Sequence, residues 1–273
     1  MKQEPKTDVK QEPKCVSNKP SRGSMCSING REYEELVWNT CIKLKFEGLN
    51  KPFCSLNKLE LGGCSAKNDL ECDFKHTKDI CIEIKKWNTP DWMQLSIKPD
   101  EEDVWKSEGN NKIPYKSKRL FESIIKKSKI FNGKIPPFFE RKLTHEEWTK
   151  VKQDTKDFND IYIDCPPDTI ARLYRYKGCN YIQISEYGLY HLGEDVCGFD
   201  VPLFECDQQL RIRTKIHSKY IKSGINKGYI SASVTVAAKP KDIKKLPKSN
   251  FSLDDLEKIP KTLSILEIEY KDL

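Results

Sequence analysis

The sequence predicts a mixed α/β fold, α+β in composition, with a central mixed sheet flanked by helices, and three observations predict it. Tyr33, Leu36, Val37, Cys41 and Leu44 recur at helical spacing. Two short strand-like runs, Asp69–Phe74 and Asp79–Lys85, follow a Gly62-Gly63 break. After a long helical stretch, alternating runs return from Asp160 onward.

Taken in order, residues 1–24 hold Lys2-Gln-Glu-Pro-Lys6 and Lys10-Gln-Glu-Pro-Lys14 with almost nothing apolar to bury, which predicts a disordered tail. A core spans 25–98. It opens with a helix announced by Asn29-Gly30 and ending near Gly48. A loosely alternating strand, Phe53–Leu61, and the two compact strands follow. Thr89-Pro90-Asp91 then reads as N-cap, N1 proline and first-turn acid of a second helix carrying Trp92, Met93 and Gln94. Segment 99–159 is a helical insertion, with Leu120, Phe121, Ile124, Ile125 and Phe131 in one stripe and a capping box at Thr144–Glu147. The remainder, 160–273, is β-rich. Its strands are expected at Asp160–Asp164, Tyr181–Leu192 (a pair), Leu210–Ser218 and Ile230–Val236, with a final strand or short helix at Leu263–Tyr270.

Composition bounds the function. Charged residues make up 33% and the apolar set 37% of 273 residues, a soluble globular profile with a heavily solvated surface. No run of about eighteen apolar residues and no signal-peptide core is present, so an intracellular protein without membrane contact is expected. The eleven cysteines form no CxxC pair, and several sit in apolar runs as small hydrophobes, which argues against a disulfide framework. Net charge is +7 but concentrated. Lys112–Lys142 carries +8 and Asp207–Lys248 carries +9, leaving the rest acidic on balance. A phosphate backbone is the partner such a distribution suits.

The candidate chemistry lies in one ExK triplet of five. Those at Glu4 and Glu12 fall in the tail, and that at Glu140 follows Pro-Pro-Phe-Phe. Glu269 sits in a strand-like run, but the chain stops two residues after Lys271. Glu83-Ile84-Lys85 remains. In a strand, positions i and i+2 share a face, so Glu83 and Lys85 project together while Ile82 and Ile84 face a core. Asp69 opens the preceding strand. If the strands are neighbours, Asp69 and Glu83 converge, and two carboxylates on one spot call for a divalent cation. Mg²⁺ suits all-oxygen ligation, with Mn²⁺ as the alternative ion. Lys85 then assists deprotonation of the attacking water or stabilises developing negative charge.

These residues resemble the PD-(D/E)xK nuclease superfamily, over roughly Gly30–Gln94. Gly30-Arg-Glu-Tyr-Glu34-Glu-Leu-Val37 is similar to the family's first helix, Asn68-Asp69-Leu70 stands where the family has Pro-Asp-hydrophobic, without the proline, and Glu83-Ile84-Lys85 matches ExK. The resemblance implies a restriction-endonuclease-like αβββαβ core, a metal site of Asp69, Glu83 and Glu34, with Glu35 as the adjacent possibility for the last, and Gln94 as an accessory residue early in the next helix. It implies an Mg²⁺-dependent DNA endonuclease. The alternative is a non-catalytic nucleic-acid-binding protein on the same fold.

For substrate contact, Arg211, Arg213, Lys215 and His217 alternate along one strand face, spanning roughly 20 Å, several phosphates of a strand. Lys116, Lys118 and Arg119 on the basic helix form a second candidate contact. Lysine outnumbers arginine in these segments, favouring phosphate contacts over base reading. Double-stranded or branched DNA is the expected partner. Enzymes that cut both strands need two sites to meet two backbones, which makes a homodimer an expectation as well.

Overall fold

The computed structural model describes residues 22–49, 51–54, 69–74, 77–89, 91–109 and 113–266. The chain is a mixed α+β fold with four α-helices and three sheets among the described residues. In order these are α1 (Arg22–Cys41), β1 (Leu44–Phe46), β2 (Leu70–Phe74), β3 (Thr77–Lys85), β4 (Trp92–Pro99), β5 (Trp105–Ser107), α2 (Tyr115–Lys126), α3 (His145–Thr155), β6 (Ile161–Cys165), α4 (Thr169–Lys177), β7 (Tyr181–Ile184), β8 (Gly188–His191), β9 (Gln208–Ser218), β10 (Ser231–Pro240) and β11 (Leu263–Ile265).

One sheet runs β2-β3-β7-β8, antiparallel except for the parallel β3–β7 pair. A parallel neighbour requires a crossover, and α4 supplies its last step. The second sheet, β5-β4-β10-β9-β6, is antiparallel throughout, and β1 pairs with β11.

Alternation along β3 divides two cores. Ile80, Ile82 and Ile84 pack with Tyr33, Val37 and Cys41 of α1. Cys81 packs on the other face with Ile182, Ile184 and Tyr174, in the larger core that also takes β4, β9, β10 and α2. Each fully buried isoleucine contributes about 1.5–3 kcal/mol, so the register of β3 is firmly specified. Glu83 and Lys85 therefore project on the Cys81 face, toward α4.

Several expectations are corrected. No helix starts at Asp91: Leu95 and Ile97 are buried and Gln94 and Ser96 half-buried, and this alternation marks β4, antiparallel to β10 with a register shift between Gln94 and Trp92. Thr89 does not cap a helix; its hydroxyl donates to the Lys86 carbonyl at 2.7 Å and accepts the Trp92 indole N–H at 3.0 Å. The first helix stops at Cys41, and Leu44 belongs to β1, where Leu44 and Phe46 are buried on either side of half-buried Lys45. At its other end α1 begins at Arg22, across the expected tail boundary, while residues 1–21 lie outside the described residues. Phe53 is buried but not in a strand, Cys54 makes an isolated bridge with Cys72, and residues 55–61 of the expected Phe53–Leu61 strand lie outside the described residues. The helical insertion contains β5 as well as α2 and α3. The Thr144–Glu147 capping box is present in both halves. No helix among the described residues is long and apolar enough to cross a membrane.

Candidate active site

Leu70 pairs with Ile82, which sets Asp69 beside the Glu83-Ile84 peptide. Asp69 Oδ2 accepts the Ile84 backbone N–H at 2.9 Å and lies 3.4 Å from Lys85 Nζ. Lys85 Nζ lies 2.5 Å from Glu83 Oε1 and also donates to the Ile84 carbonyl at 2.9 Å. The three residues expected to converge do so. The end of β3 is held in place by Ser185, whose N–H donates to the Lys85 carbonyl at 3.0 Å and whose hydroxyl accepts from Trp87 N at 3.0 Å.

Glu34 joins the group from α1. The helix is fixed against β7 and the C-terminal segment by a buried polar network. Gln183 donates to Tyr33 Oη at 3.0 Å and to Ser252 Oγ at 2.8 Å, and Tyr33 donates to Asp254 Oδ2 at 2.6 Å. Tyr33 precedes Glu34, so this network sets the helical register that brings Glu34 within electrostatic reach of Asp69, Lys85 and Glu83.

Two residues that the sequence did not single out complete the cluster. Lys177 Nζ donates to Glu83 Oε2 at 2.7 Å, and Tyr174 presents its ring to both ammonium groups, 5.6 Å from Lys85 and 5.7 Å from Lys177. Both sit on α4. Gly178, with φ +99, ends that helix in a left-handed conformation and turns the chain into β7, which places the last-turn lysine over β3. The Tyr174 hydroxyl is buried without a hydrogen-bond partner among the described residues.

Burial decides the electrostatics. Side-chain exposure is 3% for Glu83, 7% for Asp69, 10% for Lys177 and 18% for Lys85. Burial alone would raise the Glu83 carboxyl, but Lys85 and Lys177 outweigh it and hold it below the usual range. Burial, followed by the charge of Glu83, raises Asp69. Burial, followed by Asp69, pushes Glu34 up to about 7. Desolvation pulls Lys85 down, yet Asp69 and Glu83 together carry it well above its ordinary value. Three carboxyl groups thus face two ammonium groups, and the surplus negative charge appears as the raised values of Glu34 and Asp69.

That surplus, on oxygen donors alone, fits a hard divalent cation in kind. As described, however, no three His, Cys, Asp or Glu side chains are arranged to hold a metal ion among the described residues, because the lysines occupy Glu83 and the near side of Asp69.

Gln94 is not placed in this cluster. It lies on β4 in the other sheet, and its Oε1 accepts from Arg213 Nη2 at 3.4 Å. Of the expected contact face on β9, Arg211 is paired with Asp160 at 2.6 Å and Asp91 at 3.4 Å, and Arg213 with Asp91 at 3.4 Å. His217 shares a 2.7 Å hydrogen bond with Ser233, and partial burial, then the Lys215 charge, lowers its pKa from the ordinary histidine value. Lys215 makes no ion pair among the described residues. On α2, Lys116 lies over the Tyr176 ring at 5.9 Å, Lys118 reaches the Gly109 carbonyl at 3.4 Å and Arg119 pairs with Glu122 at 3.0 Å.

No protein-family model, curated protein or solved structure matches the chain.

Proposed function

We propose that the chain is a metal-dependent nuclease of the PD-(D/E)xK type, acting on DNA, with Asp69, Glu83 and Lys85 as its reacting centre. The observation that carries this reading is the convergence of the Asp69 carboxylate and the Glu83-Ile84-Lys85 strand end across the β2–β3 pair. The antiparallel β2–β3 pair and the parallel β3–β7 pair reached through α4 support an αβββαβ core of that class.

Asp69, Glu83 and Glu34 would hold Mg²⁺ or Mn²⁺ only with the ammonium groups of Lys85 and Lys177 displaced from Glu83, and the ion would supply an activated water and neutralise phosphate charge. With no cation bound, the Asp69 and Glu83 carboxylates outweigh burial and hold the Lys85 ammonium well above its ordinary value. Beside a bound ion, Lys85 would stabilise negative charge on the attacked phosphate or assist deprotonation of the water. Duplex or branched DNA, and a homodimer for cutting two strands, belong to the same proposal.

The non-catalytic reading has one observation in its favour: Lys85 and Lys177 already compensate Asp69 and Glu83 without any metal. Cleavage of supercoiled plasmid and of branched DNA decides between them. The assay takes Mg²⁺ or Mn²⁺, EDTA, and the Asp69→Ala and Lys85→Ala proteins. Cutting that vanishes under EDTA and in both variants is expected. Salt-sensitive DNA binding without any metal-dependent cutting would establish the non-catalytic protein instead.

A further inference from the structure

We propose that the far half of the β9–β10 hairpin is a groove-entering ribbon for duplex DNA, with Ile225 as an apolar wedge at its apex. The proposal deepens the nucleic-acid reading above and rests on it.

From Gln208 to Lys241 the chain contains no acidic residue and eight basic ones. The structure divides these eight. Near the sheet, the charges are compensated or covered: Arg211 and Arg213 pair with Asp91 and Asp160, Lys241 lies 2.8 Å from Asp164, and Lys239 stacks over Tyr162. Toward the tip they are not. Lys215, Lys219, Lys222 and Lys227 have no ion-pair partner among the described residues, and the last three are exposed.

The hairpin also outruns its sheet. β6 accompanies β9 only along Gln208–Ile212, and β4 accompanies β10 only along Val234–Ala238. Beyond those positions the two strands pair with each other alone, up to Ser218 opposite Ser231. Two-stranded ribbons enter the grooves of B-form DNA, and those that carry an apolar wedge enter the minor groove.

The tip is built, not slack. Ile221 N–H donates to the Tyr229 carbonyl at 2.8 Å, Gly228 N–H to Ile221 at 3.0 Å and Lys227 N–H to Gly224 at 3.1 Å. Gly224, at φ +79, takes the left-handed turn ahead of the apex. The base of the tip is tied to α3 and its approach, through Tyr220 Oη to Glu146 at 2.5 Å and Ile230 N–H to the Leu143 carbonyl at 2.8 Å. This frame presents Ile225 at 97% exposure between Lys222 and Lys227. A single exposed isoleucine is unremarkable on a surface. One held at the apex of a hydrogen-bonded loop, between Lys222 and Lys227 in the sequence, has the composition of the minor-groove wedges that unstack a base step while cations hold the flanking phosphates.

The test is binding of a fluorescent DNA duplex in EDTA, where no cutting interferes, across a salt series. The proteins are wild type, Lys219→Gln/Lys222→Gln/Lys227→Gln and Ile225→Ser. Duplex RNA of the same sequence and phosphatidylserine vesicles serve as rival probes. The triple variant is expected to flatten the slope of log K against log salt by about 2.7, near 0.9 per lost phosphate contact. Ile225→Ser is expected to weaken binding several-fold at unchanged slope and to lose the fluorescence change of a 2-aminopurine placed in the duplex. A wild-type slope in the triple variant, unaltered affinity in Ile225→Ser, or tighter binding to RNA or vesicles than to DNA would each overturn the ribbon. Metal-dependent cutting and ribbon-dependent binding fail independently: binding that needs the ribbon without cutting sinks only the nuclease reading, and cutting with an indifferent ribbon sinks only this inference.

Discussion

Lys177 Nζ, in the last turn of α4, lies 2.7 Å from Glu83 Oε2, with side-chain exposures of 10% and 3%. The contact joins the crossover helix to the strand that carries the candidate site, and it gives Glu83 a second ammonium partner beside Lys85. Removing one member of a buried pair costs about 3–5 kcal/mol when the other charge is left uncompensated, and because Glu83 keeps Lys85 the loss here should fall below that. Lys177→Met is therefore expected to lower the urea midpoint, while Lys177→Met combined with Glu83→Gln recovers part of the loss. Equal midpoints for wild type and Lys177→Met would show that the pair is not formed in solution.

Tyr174 offers the opposite case. Its ring is fully buried and faces Lys85 and Lys177, but its hydroxyl has no partner among the described residues. A buried donor without an acceptor carries a desolvation penalty of about 1–3 kcal/mol, so deleting the hydroxyl alone relieves it. Tyr174→Phe is expected to melt at the wild-type temperature or above it. A drop of several degrees would mean that the hydroxyl is satisfied in solution, by water or by a neighbouring group.

Glu34 makes stability pH-dependent in a definite direction. Burial, then the Asp69 charge, raises its carboxyl from an ordinary 4.5 to about 7. Between those values the folded chain binds more protons than the unfolded one, so the stability that Glu34 contributes is complete below pH 4.5 and lost as pH rises through 7. Asp69 adds the same sign and Glu83 the opposite, because its carboxyl is lowered. In EDTA, the stability of wild type relative to Glu34→Gln should decline from pH 4.5 toward 8, with most of the change complete near 7. A flat difference would remove Glu34 from the cluster.

Much of this architecture is legible in the sequence, and what is not has identifiable causes. The helix around Tyr33 and Val37, the strand at Glu83, and the Thr144 capping box carry their signals within a few residues, where periodicity and capping chemistry operate. Trp92–Pro99 misleads because Thr89-Pro90-Asp91 imitates a helix start, and the pairing with β10, about 140 positions away, overrides that local signal. Lys177 is silent for the same reason. A lysine in a last helical turn is ordinary, and only the fold shows that it faces Glu83, 94 positions earlier. The alternation of Arg211 and Arg213 correctly marks a strand face, but their partners Asp91 and Asp160 are remote in sequence.

Those partners bear on the proposed DNA contact. Asp91, with a side chain 6% exposed, lies 3.4 Å from both Arg211 and Arg213 and so neutralises charge that would otherwise join the basic hairpin. Asp91→Asn removes that compensation. The guanidinium groups keep exposures of 19% and 26%, and Arg211 retains Asp160, so the loss of stability should fall below the about 3–5 kcal/mol of a fully buried pair. The binding consequence runs the other way. With Arg213 released and Arg211 still held by Asp160, the DNA affinity of the variant at low salt should rise and its salt slope steepen by about 0.9, the value of one new phosphate contact. Arg213→Gln in the Asp91→Asn background should return the slope toward wild type. If Asp91→Asn weakens binding instead, the arginines already touch DNA in their paired state and Asp91 serves to aim them.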